Sequence, residues 1–517
     1  MNILLFLETL SFLKPTQLIH HLTRRFRPPQ LKSCRTPMPP QPTKIVSPIG
    51  KYEILADSTF TFLNITSQFR NWNMEEHGPL WTYNLNYMDW LEQKNITTEE
   101  CLSWIDKFIS DLSGNKVGLD AYPTALRIIN WAKFFSKHPE CLDQNRANSM
   151  YAQTLLLEQK LEYHLLGNHL LEDAYALFIA SLFFRDKQLY KKATRLLTDQ
   201  LQEQILPDGS HYEQSPMYHC IMLDRLLDCI NFADSYCLQE EQEPYTVMLR
   251  EKAALMLGHL QNIIYKDNSI PLLNDSAYRI APTPTELFRY AQLLNISWDN
   301  VPLKECGYRK MANDRMEIVA DIGNIAASYQ PGHSHADTFN YELRVDGEPV
   351  IVDTGISTYN KNERRQYERS TAAHNTVQTD GKNSSNVWGG FRMGRRAKVN
   401  VIKDDDDNIV ARHSGFGNHT IHERHFICKE NSFLIEDYIL GKETNSVSYL
   451  HISPGLRAEI VSEKDGMIRI GRLTLKIEHS HKIEILKDYA STEYNQLRPI
   501  DVLALHFTNR LRYCFST

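Results

Sequence analysis

No two of the nine cysteines stand in C-x-x-C spacing, so neither a zinc ribbon nor a thioredoxin-type pair is written into the chain. Their odd number and wide scatter over 517 residues fit free thiols better than a disulfide framework. Long apolar runs are lacking too: the N-terminal one is broken by Glu8 and is too short to span a membrane. That stretch has no leading positive residue and no small-residue cleavage site. The expectation is therefore a cytoplasmic protein without a signal peptide, with periplasmic or peripheral membrane residence left open. Arg24, Arg25 and Arg27 follow an amphipathic segment, so a membrane-surface helix stands as the alternative to a helix packed on the body. Positive charge is not in excess. The formal net charge is −6, which argues against a general nucleic-acid binder.

What is present divides the chain into three. Residues 1–47 pair a short helix with a linker, because 28–47 hold six prolines and no apolar period. Residues 48–300 open on the aromatic run "GPLWTYNLNYMDWL" and continue as successive amphipathic segments with apolar residues at i, i+3, i+4 and i+7. Thr97 and Thr98 ahead of acidic residues predict a capped helix start, and Pro123 another start. Such segments joined by short polar turns predict stacked antiparallel helix pairs. Residues 301–517 alternate apolar and polar, with Asp346-Gly347 as a strong hairpin signal, and predict an antiparallel β-sandwich. "KDDDDN" reads as a solvated loop.

Three stretches are richer in chemistry than stability needs. "LLGNHLLEDAYAL" sets Asn168 and His169 before a helix, where an N-cap role competes with a functional one. "LPDGSHYEQSPMYHCIML" crowds His211, Tyr212, Glu213, Tyr218 and His219 into a span ahead of a helix. "SYQPGHSHADTFNYELRVDGEPVIVDTG" puts His333 and His335 on alternate residues, and Asp353 follows at the end of the returning strand. His374 lies in "ERSTAAHNTV". Two histidines and a carboxylate on neighbouring strands suit a divalent metal, and hydrogen-bonded strand-end histidines are an equal alternative.

Taken in order, "NH" before a helix, "DGSHYEQSPMYH", "YQPGHSHADTFNYEL", "IVDTG" and "ERSTAAHNTV" resemble the heparinase II/III-like superfamily of polysaccharide lyases, over about residues 75 to 400. The resemblance implies an (α/α) toroid followed by an antiparallel β-sandwich, and β-elimination at a uronic acid. It implies Asn168 as neutraliser of the substrate carboxylate with His169 assisting, Tyr218 as acid and base, and His333 as partner base. It implies that His335, Asp353 and His374 hold a structural divalent metal, zinc by donor type. The partner would be an acidic polysaccharide. Shorter, leaderless members resemble proteins of surface-polysaccharide or lipopolysaccharide assembly.

An acidic glycan calls for cations and stacking surfaces. Arg127, Arg369, Arg392, Arg395 and Arg396 are the basic candidates, Tyr212 an alternative tyrosine, and Trp388 the stacking candidate beside Trp81 and Trp131. Arg127 sits among apolar helix residues, so it must be paired or reach the groove. Two other readings stand beside the lyase. One is a glycan-binding, hydrolytic or assembly protein on the same scaffold. The other is a metal-dependent hydrolase using His335, Asp353 and His374, which would need an open metal position on the groove.

Overall fold

The helix expected at Thr97 forms because the Thr97 side chain accepts the backbone N–H of Glu100, closing the first turn of Thr98–Ser110. At the other end of the helical half, Thr283 and Glu286 make a reciprocal capping box at Pro284–Leu293. The computed structural model describes residues 3–23, 29–47, 49–50, 54–236, 243–417 and 419–517. The basic cluster at Arg24, Arg25 and Arg27 lies outside the described residues, as does Cys237. The other eight cysteines are free thiols.

In chain order the helices are α1 (Ile3–Leu10), α2 (Pro15–Thr23), α3 (Pro79–Tyr87), α4 (Thr98–Ser110), α5 (Ala121–Lys137) and α6 (Gln144–Gln159). They continue as α7 (Gly167–Phe183), α8 (Lys187–Gln204), α9 (Pro216–Tyr236), α10 (Glu243–Ile263), α11 (Pro284–Leu293) and α12 (Glu363–Glu368). α5, α7 and α9 are buried on nearly every face and pack on one another, whereas α6, α8 and α10 pack outside them. A helix apolar all round belongs inside, and an amphipathic one covers it. The result is the (α/α) toroid. Among the described residues, no helix is long and apolar enough to cross a membrane.

The remainder is antiparallel sheet. Tyr308–Ala312, Met316–Asp321, Tyr341–Val345 and Glu348–Ile351 form a meander. Its last turn is the Asp346-Gly347 pair, with φ of 53° and 84°, the left-handed values a two-residue hairpin requires. An eight-stranded sheet runs from Val399–Asp405 to Ala458–Ser462, and a four-stranded one joins Lys482–Ala490, Arg498–Phe507, Ser446–His451 and Val377–Thr379. Ile318, Leu343, Phe426, Ile435, Leu503 and Tyr513 from these sheets share one buried core. This is the β-sandwich.

Three local expectations need correcting. The proline-rich segment is not a free linker: Thr36 is buried and bonded to Asn148, and Thr43 and Val46 bond to Ser235 and Asn231. It straps the outside of α6 and α9. "KDDDDN" is only partly a loop, because Lys403–Asp405 complete an edge strand and Arg309 pairs with Asp404 at 2.8 Å. A small three-stranded sheet over residues 55–68 precedes α3, where no strands were expected.

Arg127 is also part of the scaffold. It is fully buried, donates to Gln153 at 2.7 Å and to the carbonyls of Asn86 and Pro123, and lies 4.1 Å from the Phe108 ring centre. It holds α5 to α6 and to the end of α3. Arg127→Ala should cost about 2–4 kcal/mol, since it opens a cavity and strands these acceptors. Denaturant unfolding would show this as a lower midpoint, with KM unchanged in the folded fraction.

Candidate active site

The chain enters α7 through Leu166 and Gly167, both with φ of 62°. A Cβ on Gly167 would lie 2.3 Å from Glu213 Oε1, so only glycine lets the carboxylate approach. Glu213 accepts the Asn168 backbone N–H at 2.7 Å, as suits a carboxylate at a helix N-terminus. It also accepts the Asn168 side-chain amide at 3.0 Å. Asn168 is thereby held in one rotamer, and it is not a side-chain cap.

The turn carrying His333 meets this point from the β half. His333 Nδ1 is 2.9 Å from Asp275 Oδ2, and its Nε2 is 3.3 Å from the Asn168 amide nitrogen and 3.5 Å from Glu213 Oε2. A carboxylate can only accept, so Nδ1 carries the proton and Nε2 offers its lone pair. Asp275 also takes both guanidinium arms of Arg365, at 2.5 and 2.6 Å, and His335 Nε2 at 2.8 Å. Burial pushes the Asp275 pKa up, but Arg365 and the two histidines outweigh it and hold the carboxyl well below its usual range.

Tyr218 lies against His333, with ring centres 4.0 Å apart. Its hydroxyl is 3.4 Å from that of Tyr359, which is 3.3 Å from His333 Nδ1. Burial, opposed by the Tyr359 hydrogen bond and aided by Asp275, raises the Tyr218 phenol above its ordinary range, so it keeps its proton at neutral pH. His169 Nδ1 is 2.9 Å from Glu162. Burial works against its charged form, but Glu162 prevails and lifts its pKa.

Asn168, His169, Tyr218 and His333 all line one cleft of about 780 Å³ between the two halves. Tyr83, Tyr87, Tyr122, Tyr359, Phe391 and Tyr494 supply aromatic walls. One proton donor, one proton acceptor and one amide therefore face a common space, the minimum for removing a proton from carbon while protonating a leaving oxygen.

The expected substrate contacts fare differently. Arg127 and Tyr212 are buried and do not line the cleft. Nor does Arg369, whose guanidinium donates to the carbonyls of Ser334, Pro331 and Arg392. It clamps the His333 turn from behind. Trp388 donates to Thr9 of α1 and carries Arg392 4.8 Å from its ring, and of these two only Arg392 lines the cleft. Arg395 and Arg396 bind the carbonyls of Gly415 and Ser328. Asp275, Arg365 and Tyr359 were missed, and Glu213 was seen without a role. The signal available for Asp275 was the polar triplet Asn274-Asp275-Ser276 inside the apolar run "IPLLNDSAY".

His335, Asp353 and His374 are buried away from the cleft lining. His374 Nδ1 is 2.7 Å from Asp353 Oδ2, and the His335 and His374 rings are 5.2 Å apart. His335 Nδ1 and His374 Nε2 are buried without a hydrogen-bond partner. An imidazole with one N–H on a carboxylate and the other nitrogen free is in the state that ligates a metal, so both histidines fit one. Asp353 is engaged by His374. Among the described residues, the three side chains whose ligand atoms all fall within 4.8 Å of one another are instead Asp208, His259 and Cys306.

The architecture is thus a helical toroid joined to a β-sandwich, with tyrosine, histidine and asparagine converging on the cleft between them. Two family models match, "Heparinase II/III N-terminus" over residues 130–295 and "Heparinase II/III-like, C-terminal" over 295–510. The chain belongs to the heparinase II/III-like superfamily. It is 24% identical over 346 residues to a heparin-sulfate lyase of Pedobacter heparinus, covering 60% of this chain and 49% of that one. Against a heparin-sulfate lyase of Bacteroides thetaiotaomicron it is 22% identical over 427 residues, covering 73% and 58%. The chain spans about half the length of the curated relatives it matches. A crystal structure of heparinase III superposes with a TM-score of 0.66 at 16% identity, covering 87% of this chain and 79% of that one. Heparan sulfate lyase HepC from Pedobacter heparinus gives 0.56 at 15%, covering 89% and 81%.

Two outcomes follow from the charges. Asp275→Asn should lower turnover about 10²–10⁴-fold through loss of the His333 tautomer. It should also destabilise by about 3–5 kcal/mol, by leaving Arg365 unpaired. Adding Arg365→Met should restore the melting temperature but not turnover. The second concerns Glu172, which lines the cleft with both oxygens unbonded and Arg225 Nε 3.7 Å away. Burial, opposed by Arg225, pushes its pKa from 4.5 up to about 7. A raised carboxyl value means folding takes up a proton between those values, so stability falls as pH rises through that window. Glu172→Gln should therefore raise the melting temperature at pH above 7 and leave it nearly unchanged near pH 4.5, as read by thermal unfolding at both.

Proposed function

We propose that the protein is a polysaccharide lyase that cleaves a uronic-acid-containing glycan by β-elimination. What supports the reading is the convergence of Tyr218, His333 and Asn168 in one cleft, with the His333 tautomer set by Asp275. The heparin-sulfate lyases it resembles supply the class of substrate, an acidic glycosaminoglycan-like chain.

The obstacle in such a reaction is the negative charge that builds beside the uronate carboxylate when its neighbouring carbon loses a proton. The Asn168 amide N–H that faces His333 Nε2 turns to that carboxylate, and Glu162 favours the charged form of His169, which would add positive charge there. His333 Nε2 takes the carbon-bound proton, and Glu213 stabilises the imidazolium that results. Tyr218, whose phenol holds its proton, gives it to the glycosidic oxygen as that bond breaks. The electron pair of the broken C–H bond becomes the ring double bond, and the leaving sugar departs as an alcohol. His333 then loses its extra proton and Tyr218 regains one, with Tyr359, whose hydroxyl is 3.4 Å from that of Tyr218 and 3.3 Å from His333 Nδ1, as the linking group.

His335 and His374 would hold a structural divalent metal, zinc by donor type, with Asp353 orienting His374. Held there, His335 and His374 would brace the strands beneath the turn. The residues the ion would occupy are fully buried, which disfavours a hydrolase that opens its metal to the groove.

The test is near-ultraviolet absorbance of the unsaturated uronate while the protein meets a panel of uronate glycans. Wild type should raise it on at least one. Tyr218→Phe and Asn168→Ala should each lower the rate at least about 10²-fold with the fold intact by circular dichroism. Turnover undiminished in Tyr218→Phe would exclude Tyr218 as the acid.

A further inference from the structure

Behind the turn that carries Glu213 and the start of α9 that carries Tyr218 lies a second cluster, with no part in the chemistry above. Asp208 stands in the turn after α8, His259 on α10, and Cys306 just ahead of the first sandwich strand. All three are buried, at 4%, 3% and 0% exposure, and one ligand atom from each falls within 4.8 Å of the others. His259 and Cys306 border a void of about 10 Å³, lined also by Ser210, His211, His219 and Tyr308, the size of a single water or ion.

Two features make this more than packing. His259 Nδ1 and His211 Nδ1 are buried and have no hydrogen-bond partner, a costly state for imidazole nitrogens beside an empty space. Asp208 is meanwhile pre-set: its oxygens accept from the Ser210 hydroxyl at 2.6 Å and from the backbone N–H groups of Lys304 and Cys306 at 3.0 Å. Ligating carboxylates are held by such bonds. The turn is tight as well, since a Cβ on Gly209 would lie 2.1 Å from the Leu255 carbonyl oxygen.

We infer that Asp208, His259 and Cys306 form a binding site for a borderline-soft divalent cation such as zinc, distinct from the His335 and His374 pair. One oxygen, one nitrogen and one sulfur ligand select that class over calcium or magnesium. Burial holds the free Cys306 thiol well above its ordinary pKa, so the metal must displace its proton. Binding forms the metal–thiolate bond and releases that proton to solvent. The ion would tie three elements together: the turn leading to Glu213 and Tyr218, α10, and the start of the sandwich.

Cobalt(II) added to the metal-free, folded full chain is the probe, because a thiolate ligand gives a near-ultraviolet charge-transfer band that nitrogen and oxygen ligands do not. The expected result is one band-forming equivalent in wild type. The band should be lost in Cys306→Ser, weakened in His259→Gln, and kept in both Cys514→Ser and His335→Asn. Metal analysis of protein grown with zinc should show Cys306→Ser one equivalent short. If Cys306→Ser does not fold, His259→Gln and the wild-type titration decide. A folded wild type without the band, or a band indifferent to Cys306 and His259, overturns the inference.

Discussion

The carboxylate of Asp275 is the constraint on which the site depends. It lies in the segment between α10 and α11, yet its three side-chain partners all come from the sandwich half: Arg365 at 2.5 Å, His335 at 2.8 Å and His333 at 2.9 Å. Its backbone N–H also donates to the His333 carbonyl at 3.1 Å. A buried anion with one strong cation and two imidazole donors is electrostatically complete, and removing any one partner leaves the others miscompensated. The same bonds that fix the His333 tautomer therefore also dock the helical half on the sheets. The geometry of the candidate site and the register of the two halves depend on one carboxylate.

Around this centre the positive charge is spent on structure. Arg365 neutralises Asp275, Arg369 clamps the carbonyls of the His333 turn, and Arg225 sits between Asp224, Asp228 and Glu172. Buried guanidinium groups suit such duty because their planar forks satisfy several acceptors at once. The cleft wall itself is mostly aromatic and aliphatic. Polar contacts beside such a wall lie in a lower local dielectric than in bulk water and are stronger for it.

Much of this was legible in the sequence, and the failures have a common physical origin. The Thr97 cap, the Asp346-Gly347 turn and the change from helical to alternating periodicity are local signals, and local signals read correctly. Asn168, His169, Tyr218 and His333, singled out by their polar stretches and given roles by the family resemblance, do line one cleft. Asp275 and Arg365 were not singled out, because their meaning lies in a pairing across 90 positions. Arg127 and Arg369 were placed in the groove because a sequence shows that a guanidinium must be compensated but not by what. Backbone carbonyls do it for Arg369 and, together with the Gln153 side chain, for Arg127, and carbonyls leave no trace in residue identity.

His333 and His335 pose the question of why two histidines alternate on one turn. Extended backbone would send alternate side chains to one face, and both do reach the same carboxylate, one on each oxygen. Their free nitrogens differ: His333 Nε2 meets Asn168 and the cleft, whereas His335 Nδ1 is wholly buried. One anion thus orients both rings, leaving one nitrogen of the first toward the cleft and one nitrogen of the second buried and unbonded. Protonating His335 would place a new charge beside Arg365. Burial, the neighbouring His374 and that guanidinium oppose it, and they outweigh the pull of Asp275, leaving the His335 pKa at about 4. The alternate spacing is therefore a way to give two imidazoles opposite duties from a single electrostatic source.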